Sequence, residues 1–376
     1  MKKIAIVSTN KSAWGGSEYL WYYTALRLKE SNNIDLKVSI PRWKDIPPLV
    51  KELSNKGIEV IYNTGTRNFS KKVRWIIKSD IIYDYKNEGF KFLIRYKPDL
   101  VIINQGGNTG GIDLMEYCLN NNLKFVTISN VANEAKWPDD ELNKRLSKVL
   151  PEALINFYVS KANLKLTEIQ IGQDINNAEI IMNPFNVRFD NDIAYPEVKE
   201  FYYMANVARH EFYAKGQDLL FQVLDEKKWR ERNIIVNLYG KGLHSYSVEK
   251  LIRYFDLANV KLNGHINPEE IWKINHALLL TSRYEGLPLA LIEAMLCGRT
   301  GVVTKVSGNP EVMFDNETGF LANAATPEFI DEAMERAWSR RNEWETMGLI
   351  AKQYIKKTIH KDPVGVFAQK IMSLLN

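Results

Sequence analysis

The sequence predicts an α/β protein built from two Rossmann-like domains. Patterns of buried strands and amphipathic helices alternate along the chain, which is typical of parallel sheets flanked by helices. The alternation breaks over residues 183–200, where Pro184, Pro196 and several Asp and Asn residues indicate a linker. A chain of 376 residues also fits two domains of ordinary size.

The first half carries the first series of elements, recognised by apolar runs of strand length and by apolar residues at helical spacing. Strands are predicted near 4–8, 35–40, 58–62, 100–104, 124–129, 157–160 and 179–182. Helices are predicted near 18–30, 46–55, 71–96, 112–120 and 161–171.

The second series begins after the linker. Its strands are predicted near 201–207, 234–239, 260–262, 277–281, 300–304 and 319–321, with helices between them. Residues 364–375, after Pro363, form a last amphipathic helix. We find no solenoid repeat and no low-complexity segment.

Composition restricts the function classes. Cys118 and Cys297 both lie in apolar helical contexts and are interpreted as buried thiols in a reducing compartment. A net charge of +5 suits anionic ligands without requiring nucleic acid. The N-terminal segment is too short for a signal peptide, and no apolar run approaches the ~20 residues that span a bilayer. We therefore expect a cytoplasmic protein, or one peripheral on the inner face of a membrane.

The most informative segment is 283–295, which follows the apolar run 277–280. It places Glu285 at the end of a buried strand, then a Gly-Leu-Pro turn, then Glu293 inside a helix. Ligands of open α/β sheets bind just beyond the carboxyl ends of strands. Pro288 suits the first turn of the helix, whose free amides would suit a phosphate. The segment predicts a site for a polar ligand.

A second candidate lies after the first strand of the second domain. Arg209 and Lys215 are six positions apart across a loop, so their cations can neutralise a diphosphate from two sides. The alternative is a pair of solvated surface cations.

Gly-rich turns follow several other strands. Residues 14–18 carry Gly15 and Gly16 after the first strand, and 105–111 carry Gly106 and Gly107. In both, glycine lets the backbone approach a ligand closely, although a plain tight turn is the alternative for Gly15 and Gly16. Segments 238–242 and 262–266 are also strand ends that run into turns.

The string S-x-x-E-G-L-P-L-x-L-I-E-A-M, with Glu285 and Glu293 as its two acids, resembles the signature of retaining GT-B glycosyltransferases. The resemblance is to family four, the glycosyl transferases group 1, and is clear over 206–321. It implies two Rossmann-like domains facing a cleft, with the C-terminal helix returning to the first domain. The domains are then 1–185 with about 360–376, and 186–359.

The resemblance also implies roles for the donor side. Glu293 would hold the ribose, Glu285 would face the transferred sugar, and Arg209 and Lys215 would stabilise the leaving diphosphate, so Glu285, Arg209 and Lys215 are the expected catalytic residues. Further donor contacts are expected at Gly15, Gly16, Gly240, His265, Ile266, Gly286, Leu287, Pro288 and Leu289. Glu311 would hold the loop that lines the donor pocket.

Acceptor-side residues are expected at Trp14, Ser17, Gly106, Gly107 and Asn130. Trp14 and Tyr19 would stack on an acceptor sugar or would simply pack in the core. The family often places a His in the first domain, but every His here lies at position 210 or later. Asn130 or Asn133 is the expected stand-in. Neither can move a proton, which favours a mechanism in which the leaving phosphate oxygen takes the acceptor proton.

These features together predict a metal-independent glycosyltransferase that moves a sugar from a nucleotide diphosphate sugar to a hydroxyl of a glycan or glycolipid, with retention. No cofactor or metal is expected, and Asp190-Asn191-Asp192 is interpreted as solvated linker. A basic amphipathic pattern at 67–78 suggests a peripheral membrane contact, with an ordinary surface helix as the favoured alternative. The rival functions are a nucleotide-sugar epimerase and a non-catalytic glycosyltransferase-like subunit.

Overall fold

The computed structural model describes residues 1–10, 14–31, 33–43, 46–63 and 90–375. The chain divides into two compact units: Met1–Pro184 with Asp362–Asn376, and Phe185–Lys361. Each unit is a parallel sheet with helices, so the predicted fold class of two Rossmann-like α/β units is confirmed. The sequence interpretation placed the boundaries at 185 and at about 360.

The first unit holds a seven-stranded sheet in the order β3-β2-β1-β4-β5-β6-β7, and every pairing in it is parallel. The strands are β1 Lys2–Ser8, β2 Ile34–Pro41, β3 Glu59–Asn63, β4 Leu100–Gly107, β5 Phe125–Val131, β6 Asn156–Tyr158 and β7 Ala178–Ile180. The described helices before the crossover are α1 Gly16–Lys29, α2 Pro48–Asn55, α3 Lys91–Tyr96, α4 Ile112–Asn120, α5 Asp140–Val149 and α6 Lys161–Ile171.

The second unit holds a six-stranded parallel sheet in the order β10-β9-β8-β11-β12-β13. Its strands are β8 Tyr202–Val207, β9 Ile234–Tyr239, β10 Val260–Gly264, β11 Ala277–Leu280, β12 Thr300–Thr304 and β13 Phe320–Ala322. Its described helices are α7 Phe212–Lys215, α8 Gln217–Leu224, α9 Lys227–Glu231, α10 Ser245–Tyr254, α11 Pro268–Trp272, α12 Leu289–Leu296, α13 Asn309–Val312, α14 Pro327–Ser339 and α15 Trp344–Thr358.

The C-terminal helix, α16 Pro363–Ser373, belongs to the first unit. Phe367 and Ile371 are fully buried in the same core cluster as Leu20 and Trp21 of α1. The ring of Phe367 lies 5.1 Å from that of Phe157, centroid to centroid. The prediction that the last helix returns to the first domain is confirmed.

Residues 183–200 contain no helix or strand, as predicted, but they are not a free linker. The buried guanidinium of Arg299 donates to the carbonyls of Ile193 and Ala194, at 3.3 and 2.7 Å. Lys352 donates to the carbonyl of Asn191, whose side chain is buried. The interpretation of Asn191 as part of a solvated linker was wrong, because these polar groups pack the segment against the second unit.

The predicted bounds of the strands agree closely with the observed ones, and the predicted helices agree less well. Helix α5 was not predicted, because its apolar positions are few and most of its residues are polar; Asp139 caps it by accepting from the amide of Leu142 at 2.8 Å. Of the helix predicted over 71–96, the structure describes Lys91–Tyr96. Pro288 is the N-cap of α12, and the first helical residue is Leu289.

Candidate active site

The candidate site of the second unit lies where its strand order reverses. Strands β8 and β11 are neighbours in the sheet. The next strand of the chain after β8, β9, lies on the outer side of β8, and the next after β11, β12, lies on the opposite side, beyond β11. Such a switch point, at the carboxyl ends of the strands, is the usual ligand position in an open α/β sheet. Arg209 and Lys215 follow β8, and Glu285 follows β11, so the sheet brings these three residues to one edge.

Lys215 and Glu285 form an ion pair across this edge. The Lys215 Nζ lies 2.7 Å from each carboxylate oxygen of Glu285. The Ser282 hydroxyl donates to the same carboxylate at 2.7 Å, and the Ser307 hydroxyl accepts from the Glu285 amide at 3.1 Å. Only 18% of the Lys215 side chain and 9% of the Glu285 side chain are exposed. The pair is therefore a preorganised charge pair that water reaches poorly.

Gly216 explains why the chain can bring Lys215 to this place. Its φ of +62° lies in the left-handed region, and a Cβ here would stand 2.1 Å from the carbonyl oxygen of Thr281. The Thr281 hydroxyl in turn donates to the Gly216 carbonyl at 2.8 Å. Only glycine allows the turn between α7 and α8 to approach the end of β11 this closely.

Arg283 ties the same two segments together. Its guanidinium donates to both carboxylate oxygens of Asp218 at 2.7 Å, and its amide donates to the Ala214 carbonyl at 2.8 Å. A bidentate arginine–carboxylate pair fixes geometry as well as charge. Arg283 thus positions α7, and with it Lys215, against the loop that carries Glu285.

Arg209 is the more accessible of the two predicted cations. Half of its side chain is exposed, and its guanidinium lies 3.1 Å from Glu211. The Gln217 amide donates to the Arg209 carbonyl at 2.8 Å and fixes the backbone. Gly240, with φ +131°, allows close approach here, since a Cβ would lie 2.2 Å from the Ala208 carbonyl oxygen.

Glu293, on α12, is almost completely buried at 4% exposure. Both the backbone amide and the side-chain amide of Asn186 donate to its Oε1, at 2.8 and 2.9 Å. Burial raises the pKa of Glu293 to about 7, while the two bonds from Asn186 act to lower it. Glu293 is therefore not a solvated helix residue, and its carboxylate has a partner in Asn186.

The other predicted donor residues of the second unit lie in or next to the turns that follow its strands. Gly286 accepts from the Gly308 amide at 3.2 Å, which joins the turn before α12 to the loop after β12. His265 and Ile266 are exposed directly after β10. The Gly264 carbonyl accepts from the Gly240 amide at 2.7 Å and so links the ends of β9 and β10. Leu287 and Leu289 flank Pro288.

In the first unit, the predicted residues lie at the carboxyl edge of the sheet. Gly15 is the N-cap of α1 and Gly16 its first residue, and a Cβ on Gly15 would meet nothing within 4 Å. Ser17 accepts from the Asn10 side chain at 3.1 Å. Gly106 and Gly107 end β4.

Trp14 packs rather than standing free. It contacts the core of the first unit, with the rings of Tyr19, Trp21, Tyr22 and Trp43 at edge-on angles 5.4 to 6.2 Å from its own. Trp14 therefore packs against the core of the first unit, and its contact with an acceptor stays a prediction.

Glu18 was not singled out from the sequence, and its carboxylate is the common acceptor of a polar network at this edge of the first sheet. The carboxylate is fully buried and accepts hydrogen bonds at 2.7 to 3.3 Å from the side chains of Ser8, Asn10, Ser17, Trp21 and Asn104. Burial raises its pKa and these bonds oppose the rise. Its one signal in the sequence is an acid in the first turn of a helix after a Gly-Gly loop, which by itself indicates only a favourable helix charge.

Asn130 belongs to the same network. Its amide donates to the Asn104 side chain at 2.8 Å, and its oxygen accepts from Asn183 at 3.1 Å. Asn133 accepts from the amide of Ala135 at 2.8 Å and shapes its own loop. Of the two expected stand-ins for the missing His, Asn130 is the one connected to Glu18 through Asn104.

Asp190 pairs with Lys356 at 3.0 Å and with Lys361 at 2.6 Å. Among the described residues, no group of His, Cys, Asp or Glu is arranged to hold a metal ion. The basic pattern at 67–78 lies outside the described residues.

No helix in the described part of the chain combines the length and the apolar character that crossing a membrane requires.

Comparison with known proteins agrees with the identification made from the motif. Residues 188–354 match the family "Glycosyl transferases group 1". The poly(ribitol-phosphate) alpha-N-acetylglucosaminyltransferase of Staphylococcus aureus is 30% identical over 110 residues, 28% of this chain and 22% of that protein. The N-acetyl-alpha-D-glucosaminyl L-malate synthase of Bacillus anthracis is 30% identical over 101 residues, 26% of each chain. These matches span less than half the length of the curated relatives.

The fold likeness extends over the whole chain. The Anabaena protein Alr3699/HepE, solved with UDP and glucose, gives a TM-score of 0.74 at 15% identity, covering 99% of this chain and 100% of that one. Staphylococcus aureus TarM, solved with UDP, Fondaparinux and alpha-GlcNAc-glycerol, gives 0.71 at 16% identity and covers 100% of both chains. The GT-B fold class is confirmed, and residues 188–354 match the group 1 family.

Proposed function

We propose, from the group 1 glycosyl transferase domain at residues 188–354, that this chain moves a sugar from a nucleoside diphosphate sugar to a hydroxyl of a glycan or glycolipid. The observation that carries the proposal is the Lys215–Glu285 pair at the β8/β11 switch point, with Glu293 buried on the helix that follows. UDP in two solved structures of the same fold supports a nucleotide ligand.

The reaction breaks the bond between C1 of the sugar and a phosphate oxygen, and forms a bond between C1 and the acceptor oxygen. The electron pair of the broken bond stays on the diphosphate, so negative charge grows there. Lys215 and Arg209 stabilise this charge more in the transition state than in the ground state. The Lys215 ammonium has three N–H donors, so it can turn from Glu285 toward a phosphate without losing the carboxylate entirely.

Glu285 orients the transferred sugar by accepting from its hydroxyls, and Ser282 holds the carboxylate in place. The acceptor's proton passes to the leaving phosphate oxygen, which needs no histidine from the first unit. We propose that configuration is retained and that the two cations take the part that a metal plays elsewhere. The cytoplasmic location stays a prediction.

Replacing Lys215 by alanine tests the assignment. Turnover should fall by about 10²- to 10³-fold, the usual cost of losing one donor aimed at transition-state charge. The control is Lys227→Ala, which removes a lysine that is 87% exposed and pairs with a surface glutamate. Melting temperatures of both variants show whether each is folded. Near-normal transfer by folded Lys215→Ala would remove Lys215 from the mechanism.

The rival functions give different results in the same assay. An epimerase would convert the nucleotide sugar when no acceptor is present. A non-catalytic subunit would bind a nucleotide sugar or a partner without releasing nucleoside diphosphate. Transfer that requires an acceptor hydroxyl excludes both.

A further inference from the structure

Among the described residues, Asn186 supplies both hydrogen bonds that the Glu293 carboxylate accepts. We propose that Asn186 is a positioning residue for nucleotide recognition: it fixes the Glu293 carboxylate so that the site selects ribose over deoxyribose. This inference rests on the proposed function, because it assumes that a nucleotide binds beside Glu293.

The two donors of Asn186 reach the same oxygen of Glu293. The backbone N–H and the side-chain Nδ2 lie 2.8 and 2.9 Å from Oε1, and among the described residues no donor is bonded to Oε2. A carboxylate held through one oxygen keeps the acceptor capacity of the other. The vicinal hydroxyls of a ribose are two donors of the kind that a carboxylate oxygen accepts.

Asn186 also favours the ionised form of the carboxylate. Glu293 lies between Ile292 and Ala294, both fully buried, and burial alone favours the neutral acid. The hydrogen bonds from Asn186 act in the opposite direction. An ionised carboxylate accepts stronger hydrogen bonds from hydroxyls than a neutral acid does.

The segment that carries Asn186 is anchored independently of Glu293. The Arg188 amide donates to the Glu269 carboxylate at 2.8 Å, and the Arg188 side chain pairs with the same group at 3.0 Å. The Asn191 side chain donates to the Leu296 carbonyl, at the end of the helix that carries Glu293, at 3.2 Å. These anchors hold the backbone near α12, so the Asn186 side chain can orient Glu293 instead of merely following it.

The experiment compares ribonucleoside and 2′-deoxyribonucleoside diphosphates in binding to the full chain. UDP, GDP, ADP and CDP and their 2′-deoxy counterparts are titrated, and the ratio of the two dissociation constants is taken for the base that binds best. Charged hydrogen bonds of this kind predict a ribose preference of about tenfold or more for the unaltered protein. A change that weakens binding of the diphosphate, such as a general loss of structure, affects both dissociation constants equally. Their ratio therefore reports on ribose recognition alone.

Asn186→Ala should reduce the ribose preference to below about threefold, and Glu293→Gln should do the same. The matched control is Asn259→Ala, which removes a partly buried asparagine of the same unit whose side chain donates to the backbone carbonyl of Trp229. It should keep the preference of the unaltered protein. If Asn186→Ala does not fold, Asn186→Asp, of similar volume but without the side-chain donor, takes its place with the same expectation.

Two results would overturn the inference. Folded Asn186→Ala or Asn186→Asp that keeps the full ribose preference would show that Asn186 does not position Glu293. A preference lost equally in Asn259→Ala would show that the loss does not come from the contact between Asn186 and Glu293. Failure of the unaltered protein to bind any of the eight nucleotides would instead overturn the proposed function, which separates the two failures.

Discussion

At the scale of single residues, Glu18 in the first unit and Glu293 in the second are deeply buried carboxylates. Glu18 and Glu293 are both nearly inaccessible, and burial raises the pKa of each. Their carboxylates differ in their partners. Glu18 is surrounded by five donor side chains, whereas among the described residues the Glu293 carboxylate accepts from Asn186 alone. Glu18 is therefore saturated and structural in character, and Glu293 keeps an acceptor for a ligand.

Glu293→Gln should stabilise the protein above neutral pH while it weakens nucleotide binding. The folded pKa of Glu293 is about 7, above the ordinary value of 4.5, so its ionisation costs stability as pH rises through 7. Glutamine has the same shape and keeps an oxygen for Asn186 but carries no charge.

The measurement for Glu293→Gln is the melting temperature of both proteins at about pH 4.5 and about pH 8. The variant's gain in the free energy of unfolding should be absent at the lower pH. At the higher pH it should reach up to about 3 kcal/mol. Of the other titratable groups near this position, Cys297 interacts with Glu293, and burial raises the pKa of its thiol to about 12, so it stays neutral in this range. A variant that is less stable at pH 8 would contradict the assigned environment.

Glu18→Gln should destabilise the first unit. The side-chain amide would place N–H donors against Ser8, Asn10 or Trp21, which already donate to this position, so buried donors lose their acceptor. A loss of about 2–4 kcal/mol in the free energy of unfolding is expected, measured by denaturant titration. Glu30→Gln, at the C-terminal end of the same helix, is the control and should change little. Equal stability of the two variants would exclude the role given to Glu18.

At the scale of elements, the position of Lys215 depends on the turn between α7 and α8. Gly216 and Gly172 both have positive φ, at +62° and +68°. A Cβ on Gly172 meets nothing within 4 Å, whereas one on Gly216 would stand 2.1 Å from the Thr281 carbonyl. Substituting each glycine by alanine therefore separates two free-energy costs. One is the cost of a positive φ in a residue with a Cβ, and the other is the cost of the clash between that Cβ and the Thr281 carbonyl.

Gly172→Ala should cost only about 1 kcal/mol, from backbone strain. Gly216→Ala should cost more and should also displace Lys215 from Glu285, so turnover falls further than the loss of stability explains. Thermal melting and turnover of the two variants, measured side by side, check this. Similar losses in both would mean that the close approach at Thr281 does not govern the site.

Local sequence predicts the elements but not the contacts between them. The run Ala277–Leu280 is buried at every position, so its strand is evident from composition alone. The Lys215–Glu285 pair joins residues 70 positions apart, and it forms only because β8 and β11 lie side by side in the sheet. Asn186 sits in a segment whose Pro and Asn residues indicate a linker, and nothing local shows that it meets a carboxylate on α12.

At the scale of the whole molecule, each unit concentrates its polar groups at the carboxyl edge of its own sheet. In the first unit these are Glu18, Asn104 and Asn130, and in the second Lys215 and Glu285. The family motif covers only the second set, and the hydrogen bonds of Glu18 define the first. The candidate site of the second unit was therefore predictable from the sequence to a degree that the polar network of the first unit was not.

The central claim is that the second unit binds a nucleoside diphosphate through Lys215 and Glu293. The most direct test is the melting temperature of the protein with UDP, GDP, ADP, CDP and their sugars in the presence of EDTA, since a ligand of the folded state raises it by mass action. We predict a clear rise with one base, which is lost in Lys215→Ala and Glu293→Gln and kept in Lys227→Ala. No rise with any nucleotide, or an undiminished rise in Lys215→Ala, would contradict the claim.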